Sequence, residues 1–137
     1  MKVALLDDFH DLIPSTLISW GWETVDARKW NAQDFQNKSN DLDGLIIRSS
    51  IPLGEDLLKY AHNLKFIARP GAGLENIDLD YCEKKNIRVY RSPEGNRDAV
   101  AEHTIGMILM LINNLKKSDN EVRNGIWKRE ENRGYEL

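Results

Sequence analysis

Five short apolar runs, each followed by a helical pattern, constrain this chain more than any other feature. Residues 2–6 (KVALL), 22–25 (WETV), 44–47 (GLII), 64–68 (LKFIA) and 87–90 (IRVY) read as strands. A run as continuous as Gly44-Leu45-Ile46-Ile47 suits a strand covered on both faces, because alternation appears only where one face is wet. Helical patterns fill residues 11–19, 32–38, 54–61 and 78–85. Pro14 lies in the first turn of the first of these, where a missing N–H costs little. Strands alternating with helices predict an α/β fold: an open parallel five-stranded sheet flanked by helices, joined by right-handed crossovers. Ligands of such sheets sit beyond the C-terminal ends of the strands. The polar groups to read are therefore Arg48-Ser49-Ser50, the loop from Arg69 to Gly73, and Arg91 to Asn96.

The 137 residues suffice for a domain with a real core. A net charge of -3 gives no electrostatic reason to expect nucleic acid or an anionic membrane as partner. The longest apolar segment, residues 105–112, falls far short of the roughly 20 residues a membrane span needs. The single cysteine, Cys82, excludes an intrachain disulfide, reads as a half-apolar helix residue and fits a reducing cytoplasm. His10 and His62 belong to no motif, and no metal site is expected.

The last third differs. Residues 98–115 form one long helical pattern, with Asp98 at its N-terminal end, where a carboxylate suits the helix dipole. Val100, Ala101, Ile105, Ile108, Leu109 and Ile112 form an apolar stripe that Met107, Met110 and Leu111 widen to most of the circumference. Such a helix is normally buried. One small sheet covers only one side of it, so a second domain or a second copy is expected on the other. Residues 116–137 turn polar and mixed in charge and read as a linker.

The stretch ARPGAGLENID, residues 68–78, carries two glycines directly after a strand. A dinucleotide fingerprint needs a third glycine where Asn76 stands, and an acid after the next strand, which instead ends in Tyr90-Arg91. Two other readings stand side by side. In one, the glycines let the backbone approach an anion and turn its N–H groups outward, with Arg69 and Arg48 adding charge and a carboxylate as the natural guest. In the other, the loop is a tight strand-to-helix turn that needs positive φ.

The segments LIIRS (45–49), NLKFIARPGAGLENID (63–78), SPEGN (92–96), AVAEHT (99–104), NGIWKR (124–129) and GYEL (134–137) occur in an order that resembles the D-isomer-specific 2-hydroxyacid dehydrogenases. The likeness runs from about Gly44 to the end of the chain. It implies a flavodoxin-like substrate-binding domain at 1–97, a long linking and dimerisation helix at 98–118, and a polar linker at 119–137 leading toward a Rossmann NAD domain. The true glycine fingerprint and the catalytic residues are then expected further on, with none in this fragment. His103, in the Ala-Glu-His stretch, is expected to be a helix residue and not the catalytic base. The resemblance makes the glycine loop the holder of the carboxylate of a small 2-hydroxy or 2-keto acid. Its substrate-binding residues are Arg48, Ser49, Arg69, Gly71, Ala72 and Gly73. Ala72 faces the nicotinamide of NAD, with Asn96 and Val100 at the far wall of the cleft. Arg48 as a structural ion-pair residue, and Asn96 as a residue that only shapes the loop into the helix, stand as alternatives. The implied partner is a second copy through residues 98–118, with no nucleic acid and no membrane. A stand-alone binding or dimerisation module that kept the fold and lost the chemistry is the competing function. The Gly-Tyr-Glu-Leu ending, leading toward a further strand, argues for the enzyme segment.

Overall fold

A computed structural model describes residues 1–136 and resolves them into two units, Met1–Gly95 and a second from Asn96 onward. The first unit follows the expected alternation: β1 (Lys2–Leu5), α1 (Leu12–Ser19), β2 (Glu23–Asp26), α2 (Ala32–Lys38), β3 (Gly44–Ile46), α3 (Glu55–Leu58), β4 (Phe66–Arg69), α4 (Leu79–Lys84) and β5 (Arg88–Arg91). All four strand pairings are parallel, in the order β2-β1-β3-β4-β5. The chain therefore steps one way from β1 to β2 and the other way through β3, β4 and β5. With right-handed crossovers, α1 lies on one face and α2, α3 and α4 on the other.

The side chains record this division. Ala4, Leu45, Ile47 and Ile67 point into the larger core with Phe35, Leu57, Leu58, Tyr81 and Cys82. Their neighbours Val3, Ile46, Phe66 and Ala68 point the other way, toward Leu17 and Trp22. Within the first unit the eight-residue α1 is the helix on that second face, and Trp20 and Tyr90 remain more than half exposed. Gly44 is required by packing, since a Cβ there would run into the Phe66 ring of the neighbouring strand.

The helices end for local reasons. After α1, Gly21 takes φ 75°, Trp22 donates to the Leu17 carbonyl and Gly21 to that of Ile18. Asn86, at φ 58°, ends α4 with the same pair of bonds, from Ile87 to Cys82 and from Asn86 to Glu83. Both are left-handed caps of the Schellman kind. At the other ends, Asn31 and Asp34 form a capping box on α2, and the Asp78 carboxylate accepts from the Tyr81 N–H of α4 at 2.9 Å.

Beyond the sheet the chain departs from the single helix expected over residues 98–115. Helix α5 begins earlier, at Glu94, so Asp98 lies inside it, and it stops at Ile112. Asn114 adopts φ 50°, and a separate helix, α6 (Leu115–Arg123), follows. A left-handed residue breaks the i→i−4 ladder, and asparagine tolerates that conformation better than most. The expected burial of this helix does not occur within the second unit, where no residue of α5 is buried and Leu111 is 71% exposed. A helix that is apolar all round needs more covering surface than α6 and the short chain after it can provide. The stretch read as a linker folds back instead. Gly125 (φ 72°) caps α6, a 3-10 turn spans Glu130–Asn132, and the Tyr135 N–H donates to the Ile112 carbonyl at 3.2 Å. Gly134 fits there because a Cβ would come within 2.6 Å of the Asn113 Cα. Leu137, the last residue of that stretch, lies outside the described residues.

Candidate functional site

Parallel strands bring their C-terminal ends to one edge, so the segments after β1, β3, β4 and β5 meet there. The centre of this edge is the loop Pro70-Gly71-Ala72-Gly73 after β4. Each of its three carbonyls after Pro70 is held by a different donor. The Ser92 N–H donates to the Gly71 carbonyl at 2.9 Å. Arg91 Nη1 reaches the Ala72 carbonyl at 3.4 Å, and Arg69 Nη1 donates to that of Gly73. Among the described residues, the N–H groups of Gly71, Ala72 and Gly73 have no acceptor. With the carbonyls engaged by the protein, the loop offers three free donors at an exposed edge, which is the makings of an anion nest.

Neither glycine of the loop has positive φ. The reading of a tight turn that needs the left-handed region therefore fails. A Cβ on Gly71 would meet nothing within 4 Å, so that glycine borders open space. The atoms nearest to a Cβ on Gly73 would be those of the Glu75 carboxylate, an exposed side chain. Close approach from outside is the remaining reason for glycine at 71.

Both arginines are engaged with backbone carbonyls of the protein. Arg48 turns toward the loop after β1: its Nη2 donates to the Asp8 carbonyl at 2.7 Å and its guanidinium lies 5.6 Å from the centre of the Phe9 ring. Arg69 is largely enclosed, its side chain 16% exposed. Its Nε donates to the Arg48 carbonyl at 2.9 Å while Nη1 takes that of Gly73. Ser49 sits at the same edge, but its N–H is directed at Asp7 Oδ2 at 3.3 Å. Asn96 and Val100 lie one turn apart on α5, both exposed, in the second unit. His103 lies on α5 and is exposed, and His10 Nδ1 accepts from the Leu12 N–H at 3.2 Å at the start of α1.

Two residues to which the sequence assigned no role in the site hold this edge together. Asp7 Oδ2 accepts from the Arg48 N–H at 2.6 Å and from the Ser50 hydroxyl at 3.2 Å, in addition to Ser49. Asn76, standing where a fingerprint would have its third glycine, donates from Nδ2 to the Arg48 carbonyl at 3.3 Å. Its own carbonyl accepts from the Leu53 N–H at 2.7 Å, beside a parallel bridge between Leu53 and Ile77. Asp7 lies two residues beyond the end of β1, so the rule that directs attention to strand ends also selects it. Nothing in the sequence marks Asn76 for this bridging role, since its partners are 23 to 28 residues away.

Electrostatics at this edge are those of surface ion pairs. Asp26, at the end of β2, is held down to about 2 by the Arg28 guanidinium, which also reaches Asp8 at 2.6 Å. Among the described residues, no group of three or more acidic, histidine or cysteine side chains has the arrangement to hold a metal ion. What the edge offers chemically is a set of free amides for an anion, next to a largely enclosed guanidinium.

A family model described as the catalytic domain of D-isomer specific 2-hydroxyacid dehydrogenases matches residues 15–134. D-3-phosphoglycerate dehydrogenase of Sus scrofa is 30% identical over 136 residues, which is 99% of this chain and 26% of that protein. The chain thus spans about a quarter of the length of the curated relatives it matches. Among solved structures, an NAD+-bound 3-phosphoglycerate dehydrogenase of Entamoeba histolytica superposes with a TM-score of 0.70 at 32% identity, covering 82% of this chain and 39% of that one. A D-lactate dehydrogenase of Aquifex aeolicus, complexed with NAD and lactic acid, gives a TM-score of 0.78 at 26% identity, over 99% and 41%.

Proposed function

This chain belongs to the D-isomer specific 2-hydroxyacid dehydrogenases, within their catalytic domain, and from that premise we propose that it is the substrate-binding portion of an NAD-dependent oxidoreductase. The reaction interconverts the CH–OH of a D-2-hydroxy acid and the corresponding keto group, with 3-phosphoglycerate the favoured substrate. The names of its relatives support the substrate, and the NAD carried by solved structural neighbours supports the cofactor. One observation carries the assignment of the site: the carbonyls of Gly71, Ala72 and Gly73 are engaged inward and their N–H groups are free.

The carboxylate of the acid lies on these amides, with Arg69 and Ser49 beside them. Charge-assisted bonds to backbone N–H groups fix the acid end of the substrate, and with it the orientation of C2. NAD supplies the hydride acceptor when bound. The exposed Ala72 at the tip of the loop fits the nicotinamide side, and the resemblance assigns Asn96 and Val100 to it as well. Arg48 contributes by shaping the loop, since its guanidinium is engaged with Asp8 and Phe9. The isolated chain binds the acid without turning it over. The exposed apolar α5 supports self-association through residues 98–118, and a cytoplasmic location completes the reading.

The test is an amide-resolved NMR titration of the chain with D-3-phosphoglycerate and D-lactate. Shifts concentrated at Gly71, Ala72 and Gly73 are expected, together with no NAD-dependent turnover. Shifts elsewhere, or none at millimolar acid, would overturn the site assignment.

A further inference from the structure

We propose that Arg69 is a positioning residue: it shapes the glycine loop by gripping two backbone carbonyls and does not itself take the carboxylate. This rests on the reading of the loop as the acid site.

The guanidinium sits at the end of β4, one residue before the loop it acts on. Its Nε and Nη1 are directed at two segments that are otherwise separate in sequence, the Arg48 carbonyl after β3 and the Gly73 carbonyl at the far side of the loop. The planar fork presents these donors in a fixed geometry, so one side chain sets the distance between the two segments. The Arg48 peptide is in turn held from both sides. Asp7 accepts its N–H at 2.6 Å, and Asn76 supplies a second donor to its carbonyl at 3.3 Å. Arg69 therefore links an anchored peptide to the loop, and the loop's free N–H groups take their direction from that link. Burial agrees, since the side chain is only 16% exposed. Glu75, at 3.5 Å from Nη1, already places a carboxylate on the outer side of the guanidinium. Nη2 has no protein partner among the described residues, so a direct contact of the guanidinium with the acid is the competing role, and shape must be separated from charge by experiment.

Arg69→Lys keeps the charge and loses the fork, while Arg69→Gln loses both. Backbone order parameters of residues 71–74 are measured without ligand, and D-lactate affinity by NMR titration, after a circular dichroism melt confirms folding. A positioning role predicts that loop order falls from about 0.85 to below about 0.6 in both variants. It also predicts that affinity falls together in both, by about tenfold, as expected for the loss of a charge-assisted bond. Unchanged loop order, or wild-type affinity in the lysine variant with loss only in the glutamine variant, would overturn it. If neither variant folds, Asn76→Ser loosens the same Arg48 carbonyl without touching the guanidinium and should lower loop order partially; no change would overturn the idea. Should the wild-type chain bind no 2-hydroxy acid, the substrate reading fails, and the ligand-free order parameters still decide the role of Arg69.

Discussion

Replacing Gly71 by alanine separates folding from binding at the candidate site. The residue has no positive φ, and a Cβ built on it meets nothing within 4 Å. The folded state therefore carries no strain from the methyl group. The unfolded chain loses freedom, which favours alanine by about 0.4–1 kcal/mol at a compatible position. Stability should thus stay level or rise by up to about 1 kcal/mol. Binding should go the other way. On the reading of this loop as the acid site, a methyl group in the open space beside Gly71 hinders an anion from reaching the three free amides. Each charge-assisted bond to such a donor contributes about 1.5–3 kcal/mol, so losing one or two weakens carboxylate binding by roughly 10- to 100-fold or more. Urea unfolding followed by tryptophan fluorescence gives the first quantity, and titration with D-3-phosphoglycerate gives the second. Destabilisation beyond about 1 kcal/mol would show that the loop is tighter than described. Unchanged affinity in a well-folded variant would show that the acid does not sit on this side of Gly71.

Gly44→Ala probes the opposite situation. Its Cβ would enter the Phe66 ring, which packs on Trp22 at 6.1 Å between centroids, so an overpacking cost of about 1–3 kcal/mol is expected. The double variant with Phe66→Leu should recover part of it, and a urea midpoint equal to wild type for the single variant would refute the packing account. Cys82 is 1% exposed, and burial, with a smaller contribution from Asp78, pushes its thiol up to about 11. Because the fold favours the neutral thiol, its contribution is complete below the ordinary value of 9.0 and is lost as pH rises toward 11. A thiol reagent at pH 8 should react only at the rate of unfolding, and prompt stoichiometric reaction of the native chain would contradict the burial.

The sheet was legible in the sequence because its signals are local. Apolar runs such as Leu45-Ile46-Ile47 and Phe66-Ile67-Ala68 need cover on both faces wherever they occur, and that requirement is written in consecutive residues. The glycine loop was legible too, since two glycines after a strand at the ligand end of a parallel sheet are a short-range pattern. Helix lengths in the last third were less so. The helical pattern reads on to Leu115, whereas α5 stops at Ile112 and the left-handed Asn114 separates it from α6. Apolar periodicity reports which residues seek burial and carries little information about where a ladder is interrupted.

Strand identity and parallel pairing thus follow from amino-acid order, because they depend on hydrophobic period and chain reversal, and the same reading points to the strand ends as the address of the candidate site. The work each polar side chain does at that address is a tertiary matter. Arg48 and Arg69 look alike beside the same strand ends. One leans on Asp8 and Phe9, and the other bridges Arg48 and Gly73. Asp7 and Asn76 take up their roles at this edge through hydrogen bonds that no local pattern specifies. A hydrogen bond depends on position and angle within a few tenths of an ångström, and those are set only when segments 20 to 40 residues apart pack against one another.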